Sequence, residues 1–239
     1  MAHKNRLREN RYGTVINLTS KQQDAEMGQA VIEASEILGE KFGLSFVHDK
    51  SVRLSEIVDE LSEAFPSVEF AEVFPRSSMS PDGGILSIVH GTTGKRHPVL
   101  ISEKKNQGTN DLRALEGKKP QAMGNAIERL GKNVIGFRTM LIDEGIMPFV
   151  CFGDGHDFRE ESTLVDRVKT IAMFGPLNRV SVVNEGENKQ FNRGSFYFRG
   201  PVWTKDEMVP IMVDVATRSI HYYFAKYGEG AFVTAEPGA

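Results

Sequence analysis

Residues 80–105 read S-P-D-G-G-I-L-S-I-V-H-G-T-T-G-K-R-H-P-V-L-I-S-E-K-K. Two apolar runs, I-L-S-I-V at 85–89 and P-V-L-I-S-E at 98–103, flank H-G-T-T-G-K-R, which has the composition of a turn. The segment therefore predicts an antiparallel hairpin. Folded symmetrically about Thr92 and Thr93, it sets Asp82 opposite Glu103, and directly opposed residues bring their Cβ atoms to roughly 5 Å. Side-chain alternation then places Lys105 beside Glu103 and turns Lys104 to the other face. An Asp, a Glu and a Lys, distant in sequence, should meet where the hairpin opens.

Two adjacent carboxylates repel each other unless a cation bridges them, and their oxygens suit a hard ion such as Mg2+. A metal held there polarises a phosphoryl oxygen and lowers the pKa of its bound water. Lys105 is placed to orient that water or to steady negative charge on a phosphate. Strand ends also carry Asp, Glu and Lys simply for solubility, and P-D followed at a distance by E-x-K leaves both readings open by itself.

Around the hairpin the pattern is mixed. Met27, Ala30, Val31, Ala34, Ile37 and Leu38 recur at helical spacing within 21–42, and Leu54, Ile57, Val58 and Leu61 within 54–64. V-E-F-A-E-V-F at 68–74 alternates like a strand. Helical periodicity returns over 122–144 and 159–173. M-P-F-V-C-F-G at 147–153 reads as a buried strand, V-S-V-V and S-F-Y-F as short ones, and 205–226 as a last helix. Repeats, low-complexity blocks and linkers are absent, so the expectation is one domain over 1–239, with a basic arm at 1–13 and a frayed tail at 228–239.

The chain's 239 residues suffice to bury about 70% of the unfolded surface. No apolar run approaches the roughly 20 residues of a membrane helix, and the N-terminus lacks a signal-peptide core. A single cysteine, Cys151, in the apolar run F-V-C-F reads as a buried structural thiol; with the missing signal it gives the expectation of a cytoplasmic protein. The net charge of -3 does not advertise a nucleic-acid binder, yet binding needs only a local basic face. Lys4, Arg6, Arg8 and Arg11 supply one candidate, as an arm settling on phosphates. G-T-T-G-K lacks the spacing of a phosphate-binding loop, D-G-H-D at 154–157 reads as a polar loop after a strand, and zinc, nucleophile-elbow and dinucleotide patterns are missing.

The helix at 122–144 opens with G-N-A-I-E-R, placing Asn125, Glu128 and Arg129 at i, i+3 and i+4 on one face beside small neighbours. P-D-G-G-I, then V-L-I-S-E-K-K-N-Q-G, then G-N-A-I-E-R-L-G-K-N together resemble the EcoRI family of type II restriction endonucleases. L-S-F-V-H-D-K-S, V-D-R-V at 165–168 and I-M-V-D-V-A-T-R-S extend the likeness over about 44–224.

That resemblance implies an α/β fold, a mixed central β-sheet flanked by helices with a restriction-endonuclease-like PD-(D/E)xK core. It implies a Mg2+-dependent homodimer that cuts both strands of a short palindrome in double-stranded DNA, paired with a cognate DNA methyltransferase. Asp82 and Glu103 match the family's metal-binding carboxylates and Lys105 its catalytic lysine, while Lys104 stands where EcoRI-type sequences have alanine. Asn125 matches the adenine reader, since one amide can serve both N6 and N7; Glu128 and Arg129 accompany it, and the shared motif implies an AATT centre. Gln121, where the family has methionine, and Ala122 lie just before the helix. Arg167 matches one guanine-contact arginine and Leu164 replaces another, which leaves the outer base pair unassigned. Two other readings compete: a DNA-binding protein without catalysis, and a structure-selective repair nuclease.

Overall fold

The computed structural model describes residues 14–106, 117, 125–155, 158, 163–184 and 191–235. Its centre is a mixed five-stranded sheet. The strands are β1 (Phe46–Asp49), β4 (Gly84–Val89), β5 (Arg96–Asn106), β6 (Phe149–Asp154) and β7 (Ser195–Arg199), arranged in the order β1-β4-β5-β6-β7. The first three pair antiparallel and the last three parallel. A separate ribbon joins β2 (Val52–Arg53) to β3 (Ser78–Met79). The helices are α1 (Thr14–Phe42), α2 (Leu54–Ala64), α3 (Asn125–Met140), α4 (Thr163–Ile171) and α5 (Lys205–Tyr227).

Alternation along the strands divides the core in two. Leu86, Ile88, Leu100, Val150, Phe152 and Tyr197 face α1 and α5, where Met27, Leu38, Met212 and Ile220 are buried. Ile85, Ile101, Phe149, Cys151, Phe196 and Phe198 face the other way, toward Ile57, Leu130, Phe137 and Val168 of α2, α3 and α4. Such near-continuous apolar runs are what strands covered on both faces require. Cys151 lies fully buried in the second layer, and burial holds its thiol well above the usual range.

The hairpin forms, with one adjustment. Near the turn the register is the symmetric one, Val89 with Arg96 and Ile88 with His97. Between Ser87–Pro98 and Leu86–Leu100 the pairing slips, leaving Val99 as an extra residue in β5. Val99 and Leu100 accordingly both point into the α1–α5 layer. A bulge of this kind re-aims everything beyond it, and Ser102 comes opposite Gly84 instead of Gly83.

Other expectations need correction. Residues 68–74 form no strand: Val68 is half exposed and Phe74 is 83% exposed, so the alternating pattern finds no partner edge. The stretch at 180–183 contributes only an isolated bridge, Val183 with Ile146. The helix expected over 21–42 starts at Thr14. The tail is not frayed over 228–235. Phe232 is buried against His90, His97 and Tyr227, and the main chain bonds Val89, Gly91, Ser45 and Gly43. Aromatic burial at Phe232 holds a segment whose glycines suggested otherwise. Residues 1–13 and 236–239 lie outside the described residues.

Candidate active site

Beyond Gly84, β4 gives way to a tight turn in which the Gly84 N–H donates to the Pro81 carbonyl at 3.0 Å. Gly84 has φ 79°, and a Cβ there would lie 2.7 Å from the Asp49 carbonyl oxygen, so this turn needs glycine. The Gly83 N–H reaches the Ser102 carbonyl at 2.9 Å. These contacts hold Asp82 against the end of β5, and its N–H donates to Glu103 Oε2 at 3.2 Å.

Three oxygens converge on Lys105 Nζ. Asp82 Oδ2 lies 3.1 Å away, the Lys104 carbonyl 3.2 Å away, and Glu103 Oε1 hydrogen-bonds the same ammonium. Glu103 is 1% exposed, whereas the Asp82 side chain is 36% exposed and opens the cluster to solvent. Burial raises the Glu103 pKa, with the Asp82 carboxylate adding to the effect and Lys105 opposing it. For Lys105 burial works downward, but Glu103 and Asp82 outweigh it and raise the pKa. One side of the cluster is thus an ammonium held by excess negative charge.

This donor set fits a hard cation. Among the described residues no group of three or more His, Cys, Asp and Glu side chains could hold a metal, so a third ligand would be the Lys104 carbonyl, which meets the same Lys105 ammonium as the two carboxylates. Two carboxylates and a carbonyl are oxygen donors of the type Mg2+ takes, with water completing its shell.

The carboxylate cluster has one further contributor. Asn133 Nδ2 of α3 donates to Glu103 Oε1 at 3.2 Å. Asn125, Arg129 and Asn133 recur every four residues, a helical stripe whose second turn supplies the signal for Asn133.

The other expected residues are placed as follows. Asn125 is the first residue of α3, though its side chain lies outside what is described. Glu128 and Arg129 are exposed on the first turns of α3, and Arg167 is exposed on α4. Leu164 is buried in the core layer beneath α4, so it is not available to read a base. Gln121, Ala122, Lys4, Arg6, Arg8 and Arg11 lie outside the described residues. A cavity of about 230 Å³ beside α2, against His97 and Glu144, includes none of the carboxylate cluster.

The family model "Restriction endonuclease EcoRI" matches residues 11–229. The chain belongs to the EcoRI family of restriction endonucleases. It is 32% identical to the type II restriction enzyme RsrI of Cereibacter sphaeroides, over 72% of this chain and 83% of that protein. It is 27% identical to the type II restriction enzyme EcoRI of Escherichia coli, over 84% of this chain and 85% of that one. This member of the family is a type II restriction enzyme, a DNA-binding phosphodiester hydrolase on the PD-(D/E)xK fold. No helix among the described residues is long and apolar enough to cross a membrane.

Proposed function

We propose that this restriction endonuclease is a Mg2+-dependent homodimer that hydrolyses both strands of a short palindrome with an AATT centre, leaving 5′-phosphate and 3′-hydroxyl ends. The observation that carries the reading is the convergence of Asp82, Glu103 and the Lys104 carbonyl on one positive charge, the Lys105 ammonium, which supports three oxygen donors facing one cation. The Glu103 carboxylate of this cluster also accepts from Asn133 of α3. Asp82 and Glu103 hold the metal, and Asn133 fixes the Glu103 carboxylate. Bound Mg2+ supplies Lewis-acid polarisation of a phosphoryl oxygen and a water of lowered pKa. Lys105 holds its charge beside both carboxylates and steadies the negative charge of the scissile phosphate.

Base reading is assigned to the opening of α3. Asn125 offers one donor and one acceptor to adenine, Arg129 donates to a purine N7, and Glu128 accepts from an amino group or fixes Arg129. Gln121, Ala122 and Arg167 are the candidates for flanking contacts. Lys4, Arg6, Arg8 and Arg11 are assigned to phosphates, where each charge contributes to a steep salt dependence. A two-fold dimer matches two half-sites of a palindrome. A cognate methyltransferase protecting the host site, and action in the cytoplasm, complete the proposal.

Digestion of DNA of known sequence with Mg2+, followed by sequencing of the ends, tests it. Discrete fragments sharing AATT at the junction are expected. Specific binding without cleavage would overturn the catalytic assignment. Asn125→Ala is expected to lose about 1–3 kcal/mol of discrimination per subunit; cleavage indifferent to both sequence and this substitution would mark a structure-selective nuclease instead.

A further inference from the structure

β5 passes the active site with its residues alternating between two faces. Glu103 and Lys105 look toward α3. Lys104 goes through to the rear, where it is 6% exposed in a setting built to hold an ammonium. Its Nζ lies 3.7 Å from Asp154 Oδ2 and 3.4 Å from the Trp203 carbonyl, with Glu26 of α1 at 4.0 Å. Asp154, the last residue of β6, is wholly buried and itself anchored. It accepts from Asn106 Nδ2 at 2.6 Å and from the Trp203 N–H at 3.2 Å. The Trp203 indole N–H is in turn fixed on the Gly153 carbonyl at 3.0 Å.

The main chain of the same residue belongs to the front face. The Lys104 N–H donates to Asp82 Oδ2 at 3.1 Å, and its carbonyl meets Lys105 Nζ at 3.2 Å. Ladder pairing with β4 ends at Gly84–Ser102, while pairing with β6 continues to Asn106–Asp154. From Glu103 onward β5 is thus laddered to a strand on one edge only. The edge it leaves open is where the Lys104 amide and carbonyl serve the site. A strand end paired on one side opens locally more readily than one paired on both, and a misplacement of about 1 Å at a reacting centre can cost about a hundredfold in rate.

We propose that Lys104 is a positioning residue: its ammonium, clamped behind the sheet by Asp154 and the Trp203 carbonyl, fixes its own carbonyl and N–H in the active site in front. The inference rests on the proposed metal-site reading and assigns a role to a side chain that touches none of the reacting groups. The rear pair supplies the second constraint that β4 no longer gives. Its effect falls on the cation position, and it does not extend to the DNA-reading end of α3.

The test compares the full-length enzyme with Lys104→Met, Asp154→Asn and the doubly neutral combination. Three quantities are measured: kcat at saturating DNA, the Mg2+ concentration for half-maximal cleavage, and metal-free binding to the cognate duplex. Amide hydrogen exchange is followed by mass spectrometry without metal. For folded variants kcat is expected to fall ten- to hundredfold and the Mg2+ midpoint to rise several-fold, with duplex binding within threefold of the parent. Exchange is expected to quicken in peptides covering 103–106 and to stay unchanged in β1, β4 and β7. Folded variants with parental kcat and Mg2+ midpoint would overturn the inference while leaving the metal site standing. Exchange raised across the whole sheet, or failure of all three variants to fold, would show a merely structural pair and overturn it too. A parental enzyme that does not cut with Mg2+ would remove the metal-site reading, and this inference with it.

Discussion

The two faces of the β5 end carry similar chemistry in opposite states. In front, Asp82 and Glu103 share one lysine between two carboxylates, and Asp82 is open to water. Behind, the buried Asp154 meets the Lys104 ammonium, the Asn106 amide and the Trp203 N–H. Each face sets one ammonium against two carboxylates, since Glu26 lies 4.0 Å from Lys104 Nζ. The difference is that the nearer acid behind, Asp154, is wholly buried with both oxygens hydrogen-bonded, while Asp82 in front opens to water. An open carboxylate pair can still take up a cation, whereas a buried and hydrogen-bonded one fixes geometry. Consecutive residues of one strand serve both purposes because the period of two separates them by face.

Substitutions can break this contrast. The largest effect on folding is expected behind the sheet. Asp154→Ala removes the nearest carboxylate from a buried ammonium, a change that costs about 3–5 kcal/mol. Urea denaturation should show it as a lowered midpoint with an unchanged slope; a loss below about 1 kcal/mol would mean that the rear pair is not the anchor described. A smaller effect, on rate and not on folding, is expected where α3 meets the front face. Asn133→Ala deletes one hydrogen bond to Glu103 Oε1. Hydrogen bonds to charged groups contribute about 1.5–3 kcal/mol, so cleavage should slow about ten- to hundredfold with duplex binding unchanged. Equal losses of rate and binding would place Asn133 in DNA contact instead.

How much of this was legible varies along the chain for physical reasons. The hairpin was readable because two apolar runs flank a glycine-rich turn, and near Thr92 and Thr93 the symmetric register holds. Its open end was not, because the bulge at Val99 answers to packing beneath α1 and α5, and no turn signal marks it. The strand expected at 68–74 failed because alternation shows only that a segment would suit a sheet edge, not that an edge exists for it. The tail failed in the opposite sense, since Phe232 finds an aromatic cluster assembled from β5 and α5. Within the site, Asp82, Glu103 and Lys105 carried a spacing that sequence displays. The Lys104 carbonyl and its buried side chain became visible only with the neighbouring strand in place.

The central claim is that the Glu103 carboxylate, with Asp82, forms the cation site of a DNA-cutting enzyme. Glu103→Gln keeps the shape and an acceptor oxygen while removing the charge, and it is expected to fold because Asp82 remains to pair the Lys105 ammonium. The direct measurement pairs its plasmid cleavage in Mg2+ with its binding to the cognate duplex. Cleavage reduced at least about a thousandfold, with specific binding preserved, is the expected result. Cleavage at the parental rate would contradict the account.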